Sequence, residues 1–262
     1  MDRIEEILQA MISAEREGAA LMMDAHEIMA EMKSGHRDVV TEYDRRVQEL
    51  IMQRLRGICP QARFFCEEND VHEELCAEDV FIIDPIDGTM NFVRHMNHSC
   101  ISVAYMHAGT VQAAAVYNPY VDELFTARRG GGAFLNGRQI YAEAAPLSET
   151  LALFGTAPYN SALAAEVFDM ARRVFENSLD VRRCGSAELD LCAVAAGRAG
   201  MYFEHVVSLW DYAAGALIVS EAGGVCTTIE GAPLTFGAGK SSIAAGGYQA
   251  HADFIALTRR AR

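Results

Sequence analysis

Residues 80 to 92 read Val-Phe-Ile-Ile-Asp-Pro-Ile-Asp-Gly-Thr-Met-Asn-Phe, and this stretch constrains the fold more than any other in the chain. Val80 to Ile83 form an apolar, largely β-branched run of the kind that fills a buried strand. Pro85 has no amide with which to extend a sheet, and Gly88 supplies the backbone freedom that a sharp exit needs. A strand that breaks here presents two carboxylates, Asp84 and Asp87, at its end, and leaves the amides of Gly88 and Thr89 to face an anion. Carboxylate oxygens are hard ligands suited to Mg²⁺ or Mn²⁺, and a metal-bridged phosphoryl group is the usual reason to gather them beside exposed N–H groups. Asp-Pro and Asp-Gly also make ordinary turns, so the chemistry needs support from elsewhere in the chain.

Charge supplies some of it. The formal charge is -14 over 262 residues, with no clustered Lys and Arg, which argues against a nucleic-acid partner. An acidic protein that handles an anionic substrate must reverse its charge locally, and bound divalent cations do so. Hydrophobic residues make up 51% of the chain, ample for a sizeable core. The N-terminus carries Asp2, Glu5 and Glu6 in place of a basic, continuously apolar leader, and no window reaches the ~18 uninterrupted apolar residues of a membrane span. Seven cysteines (Cys59, Cys66, Cys76, Cys100, Cys184, Cys192, Cys226) lie scattered without a Cys-x-x-Cys pair. An odd, unpatterned set reads as reduced, buried thiols in a cytoplasmic protein.

Apolar spacing predicts a long amphipathic helix from Ile4 through Met32, capped by Asp2, with its methionines in the core and Lys33-Ser34-Gly35 at its end. A second helix is predicted from about Thr41, with Val47, Leu50, Ile51 and Leu55 on one face. Strands follow at about 79 to 84, 99 to 107 and 110 to 118, the last pair joined as a hairpin through Ala108-Gly109, and Glu123 to Ala127 adds another. Gly130-Gly131-Gly132 reads as a tight turn, since no Gly-Lys-Ser/Thr ending follows to make a phosphate loop. Beyond it, strands at Leu151, Val181, Met201 and Val225 alternate with helices near 161 to 177, 186 to 197 and 211 to 222. No linker or repeat divides the chain, so residues 1–262 read as one unit with subregions 1–147 and 148–262.

Further acidic residues complete a constellation. Glu67 follows the strand-like Ala62-Arg63-Phe64-Phe65, and Asp211 opens the helix Tyr212 to Ser220, an N-terminus favourable to charge. Thr41 and Asp44 start another helix. In order, Glu67-Glu68, Asp84-Pro85-Ile86-Asp87-Gly88-Thr89, and Trp210-Asp211-Tyr212-Ala213-Ala214-Gly215 followed by Glu221-Ala222-Gly223-Gly224 carry a likeness over nearly the whole chain. It resembles the inositol monophosphatase family of metal-dependent phosphomonoesterases.

That resemblance implies an α/β fold of the α+β type, a layered α-β-α-β-α sandwich, assembled as a homodimer. It implies Glu67, Asp84 and the Ile86 carbonyl as ligands of one Mg²⁺, Asp84, Asp87 and Asp211 as ligands of a second, and a third, weaker ion on Glu67, with Mn²⁺ as a substitute. The four carboxylates and a phosphomonoester of about -2 would be neutralised by three divalent ions. The resemblance also implies catalytic roles for Asp44, Glu67 and Thr89, with Thr89 and Asp44 orienting or polarising a metal-activated water for in-line attack without a phosphoenzyme. Asp87, Gly88, Thr89 and Asp211 would face the phosphate, Gly185-Ser186-Ala187 would line the alcohol pocket, Glu204 would accept substrate hydroxyls, and Lys33 would serve as an accessory cation.

The expected reaction is Mg²⁺-dependent, lithium-sensitive hydrolysis of myo-inositol monophosphate. Histidinol phosphate, fructose 1,6-bisphosphate, NADP or a 3′-phosphonucleotide are the alternatives within the family, and a non-catalytic partner-binding role on the same fold is the alternative outside it. Three departures bear on specificity: Glu188 stands for a usual small residue, Cys66 for a glycine and Asn97 for a proline. His95 and His98 read as loop histidines, because an oxygen site for Mg²⁺ does not call for them. Asp87→Asn is expected to remove metal binding while sparing the fold.

Overall fold

The computed structural model describes residues 2–26, 28–35, 38–69, 75 and 78–259, with 33–35 and 38 described through their backbone alone. Helix α1 (Arg3–Met23) begins where the Asp2 carboxylate accepts the Glu5 amide at 2.9 Å, and buries Ile7, Leu8, Met11 and Met22. It ends nine residues before the sequence pattern suggested. The chain instead forms an antiparallel hairpin of β1 (Ala30–Gly35) and β2 (Asp38–Thr41). The β-branched Val39, Val40 and Thr41 favour extended backbone, and Ala30 to Met32 pair with them. Met29 and Met32 are thereby 80% and 71% exposed rather than core. Lys33 sits on β1 and not at a helix end, and its side chain lies outside the described residues.

Helix α2 (Glu42–Ile58) opens on a capping box in which the Thr41 hydroxyl accepts the Tyr43 and Asp44 amides while Asp44 accepts the Thr41 amide. Strands β3 (Arg63–Cys66) and β4 (Asp79–Asp87) run parallel, and the short α3 (Thr89–Val93) follows. Pro85 does not break β4, as the sequence suggested; it lies within it. The register with the next strand slips between Asp84 and Asp87, and a bulge of this kind accepts a residue with no amide to donate. Strands β5 (Cys100–His107) and β6 (Thr110–Asn118) form the expected hairpin, with Ala108 and Gly109 both at positive φ. β7 (Glu123–Arg128), β8 (Gly132–Leu135) and β9 (Arg138–Ile140) complete a seven-stranded sheet of order β3-β4-β5-β6-β7-β8-β9, the triple glycine turning β7 into β8.

The second half adds β10 (Leu151–Phe154), α4 (Ala164–Phe175), β11 (Asp180–Arg182), α5 (Ala187–Ala195), β12 (Met201–Val207), α6 (Ala213–Glu221), β13 (Val225–Thr227), β14 (Ser241–Gly246) and α7 (Tyr248–Arg259). Its sheet has the order β11-β10-β12-β14-β13, parallel except for β14. Three apolar clusters mark the layers. The first lies between α1 with α2 and the large sheet, the second surrounds α5 and α6 between the two sheets, and the third lies beneath α4 and α7 on the outer face of the small sheet. The architecture is the α-β-α-β-α sandwich. Among the described residues six cysteines are free, and Cys76 lies outside them. No helix of the described residues is long and apolar enough to cross a membrane.

Candidate active site

The bulge at the end of β4 aims its carboxylates into a cleft of about 290 Å³ between the two sheets. Glu67, Asp84, Ile86, Asp87, Gly88, Thr89, Gly185, Ser186, Ala187, Glu204 and Asp211 all line it. Gly88 packs against His98, ten positions on, and against Gly185, nearly a hundred positions on, so the second half of the chain closes the cleft. Gly88 takes a left-handed conformation at φ 87°, and a Cβ there would lie 3.1 Å from the Gly185 carbonyl and 3.2 Å from that of His98. Only glycine meets both demands.

Asp84 is buried, and its Oδ1 accepts the Ile86 amide at 3.0 Å. Burial, and then the charges of Glu67, Asp87 and Asp211, hold its carboxyl well above the usual range. Asp211 closes a one-turn helix in which the Ser208 amide donates to it at 2.6 Å. Burial and Glu67 push its carboxyl well up in spite of that bond.

Asp44 stands behind the cleft. Its Oδ2 accepts the Thr41 amide at 2.8 Å and the Thr41 hydroxyl at 2.5 Å, while its Oδ1 accepts the Thr89 hydroxyl at 3.2 Å. The Thr89 hydroxyl also lies 3.1 Å from the Ile86 carbonyl.

Asp87 has a task that sequence reading missed. Its Oδ2 accepts the Ser186 hydroxyl at 2.6 Å and the Glu188 amide at 2.7 Å, and its Oδ1 accepts the Ala187 amide at 3.3 Å. It therefore caps α5 from across the cleft. Burial raises its carboxyl, and these hydrogen bonds oppose the rise. Asp87→Asn turns an NH₂ group toward donors at that helix start, so it costs fold stability of about 1 kcal/mol as well as any ligand it removes. Against the expectation that it spares the fold, this lost cap should appear as a small drop in Tm, read by thermal melts of the metal-free protein.

Glu188 is corrected too. Its carboxylate is fully buried away from the cleft, accepting the Gly215 amide at 2.6 Å, the Ala214 amide at 3.3 Å and the Ser102 hydroxyl at 3.4 Å. It ties α5 to the start of α6 and does not line the pocket. Glu204 does line it, held by the Tyr202 hydroxyl at 2.7 Å and the Ala157 amide at 2.9 Å. Burial raises its carboxyl against those two bonds. A Cβ on Gly155 would fall 1.8 Å from Glu204 Oε2. Gly155→Ala is thus expected to dislodge Glu204 and raise KM for a polyol ester about tenfold with a smaller change in kcat; an unchanged KM in steady-state assays would remove Glu204 from substrate recognition.

Sequence reading also missed Arg183 and Asp190, which line the cleft. Arg183 is the one cationic side chain among the described lining residues, set against the six carboxylates of Glu67, Asp84, Asp87, Asp190, Glu204 and Asp211. The Arg182-Arg183 pair just before Gly185 was the available signal. Among the described lining residues six acids face one guanidinium in a half-closed cleft, and burial and mutual repulsion push several of them up. The donors are all hard oxygens, so Mg²⁺ or Mn²⁺ fits them.

A family model described as the inositol monophosphatase family matches residues 3–262. The chain is 36% identical over 226 residues to the inositol-1-monophosphatase of Rhizobium meliloti (strain 1021), covering 86% of this chain and 85% of that protein. It is 37% identical over 200 residues to the Nus factor SuhB of Escherichia coli (strain K12), covering 76% and 75%. A solved structure of an IMPase/NADP phosphatase complexed with Mg²⁺ and phosphate superposes with a TM-score of 0.87 at 25% identity, over 98% of this chain and 96% of that one.

Proposed function

This chain belongs to the inositol monophosphatase family, and from that membership we propose that it hydrolyses a small phosphomonoester, myo-inositol monophosphate first, with Mg²⁺. The observation that carries the reading is the convergence of the buried carboxylates at the β4 bulge with Glu67 and Asp211 on one cleft, opposite a pocket wall that presents the Glu204 carboxylate. Glu67, Asp84, Asp87, Asp211 and the Ile86 carbonyl would hold the metal. When bound, Mg²⁺ would neutralise the phosphoryl oxygens and lower the pKa of a water nucleophile.

The chain's own groups do the positioning. The Thr89 hydroxyl donates to Asp44 Oδ1, which turns its lone pairs outward to accept a proton from water in the cleft. Asp44 keeps that orientation because Thr41 holds its other oxygen with two short bonds. Gly88 and Thr89, at the start of α3, would receive the phosphate, and Glu204 with the Gly185 to Ala187 turn would receive the alcohol. The six free cysteines support a reducing compartment, and we place the enzyme in the cytoplasm as a homodimer, which a monomer mass in light scattering would refute.

The test is phosphate release from myo-inositol 1-phosphate, histidinol phosphate, fructose 1,6-bisphosphate, NADP and a 3′-phosphonucleotide, each with Mg²⁺ and with chelator. Mg²⁺-dependent release, highest in kcat/KM for inositol phosphate, is expected. Thr89→Val is expected to lower kcat about 10²-fold with little change in KM. Turnover led by another ester would keep the chemistry and reassign the substrate. The Nus factor name borne by relatives at 37% identity favours one second reading, a partner-binding role, and silence on every ester would select it.

A further inference from the structure

We propose that His98, Cys184 and Asp190 form a further metal site for a borderline divalent cation of the Zn²⁺ class, at the edge of the cleft, sharing Asp190 with its lining but none of the residues that would hold Mg²⁺. One ligand atom from each of the three lies within 4.8 Å of the others. An imidazole nitrogen, a sulfur and a carboxylate oxygen make a donor set that favours Zn²⁺ over Mg²⁺. Three protein ligands with a fourth position open is a common zinc geometry. Bonds of about 2.0–2.3 Å would bring the donors to about 3.5 Å from one another, a closure of roughly one ångström on binding.

Two further observations mark the three residues as a prepared group. The Nε2 atom of His98 is buried and has no hydrogen-bond partner among the described residues, and a buried polar nitrogen left unpaired costs free energy. Asn91, itself buried, donates from one Nδ2 to the His98 carbonyl at 2.8 Å and to the Cys184 carbonyl at 2.9 Å. A single side chain thus pins together two backbone segments from positions 86 residues apart in sequence. Asp190 comes to the same place on α5, the helix that Asp87 caps.

Burial, followed by the neighbouring Asp190, pushes the Cys184 thiol up to about 12. Without metal it is therefore protonated and inert; on binding, sulfur bonds to the cation as thiolate and its proton passes to solvent. Because Asp190 also lines the cleft, occupation of this site would draw one carboxylate away from the substrate pocket and clamp Cys184 to the first turn of α5, whose Ala187 and Glu188 amides hold Asp87. Zn²⁺ would then modulate the pocket without displacing Mg²⁺ from the oxygen ligands.

The experiment titrates the intact protein with Co²⁺ in excess Mg²⁺ and reads the sulfur-to-cobalt charge-transfer band in the near ultraviolet. This readout does not depend on any phosphatase activity. The expected result is a band that saturates at one equivalent, vanishes on adding Zn²⁺, is lost in Cys184→Ser, and forms with at least tenfold weaker affinity in His98→Phe, which retains every cysteine. Circular dichroism of both variants confirms that they fold. No band in the wild-type protein, a band undiminished in folded Cys184→Ser, or wild-type affinity in His98→Phe would each overturn the proposal.

Discussion

Replacing Asp84 with asparagine is expected to lower Mg²⁺-dependent phosphate release by about 10³-fold, the several kcal/mol that a bound metal contributes to such a transition state. The same variant should unfold at or above the wild-type temperature when both are free of metal. Asparagine keeps an oxygen for the Ile86 amide and removes a carboxylate that burial and four acidic neighbours disfavour. The sign follows from the raised folded-state pKa: the folded protein holds this proton more tightly than the unfolded chain does. The contribution of Asp84 to stability is therefore full below about its ordinary value of 3.8 and is lost as pH rises through the higher folded-state value. At neutral pH the metal-free wild type bears that loss and the asparagine variant does not. Thermal melts with and without Mg²⁺ give the second readout, since the wild type should be stabilised by the ion and the variant far less. Turnover within a few-fold of wild type would remove Asp84 from the metal set.

The second large effect lies outside the cleft. Glu15 is fully buried on α1, and neither carboxylate oxygen has a hydrogen-bond partner among the described residues. Burial first, and the Glu188 charge second, push its carboxyl well above 4.5. Its stability contribution is accordingly full below about 4.5 and lost as pH climbs through the raised folded-state value. Glu15→Met keeps the side-chain length and helix propensity and removes the polar atoms. It should stabilise the protein at pH 8 by about 1–3 kcal/mol, the cost of an unsatisfied buried group, or several degrees in Tm for a chain of this size. At pH 4, where wild-type Glu15 is neutral in the folded state, the advantage should shrink. A variant that melts at or below wild type at pH 8 would show that Glu15 is satisfied in solution.

Much of this molecule was legible in order along the chain, and the exceptions share a cause. The β5–β6 hairpin, the Thr41–Asp44 start of α2 and the helices near 187–195 and 213–221 follow from local turn chemistry and apolar spacing. The β1–β2 hairpin did not, because a methionine-rich stretch read at helical period was taken up by pairing with Val39 and Val40. Strand β14 and helix α7 went unread. Ser241 to Gly246 is built of small residues with one β-branched side chain, a poor strand by composition. It is a strand because it fills the place between β12 and β13, where a Cβ at Gly246 would lie 2.8 Å from the Gly200 carbonyl.

By itself the sequence determined the acidic motif at the end of β4, the helix start carrying Asp44, the Trp210-Asp211 motif just ahead of α6, and the family to which those motifs belong, because each depends on residues close together in the chain. Tertiary structure alone decided that Asp87 caps α5, that Glu188 is withdrawn to the start of α6, that Arg183 and Asp190 enter the cleft, and that His98 meets Cys184. Those partners lie roughly 26 to 100 positions apart or across a sheet, and no local spacing encodes a contact that exists only once two packed layers have closed on each other.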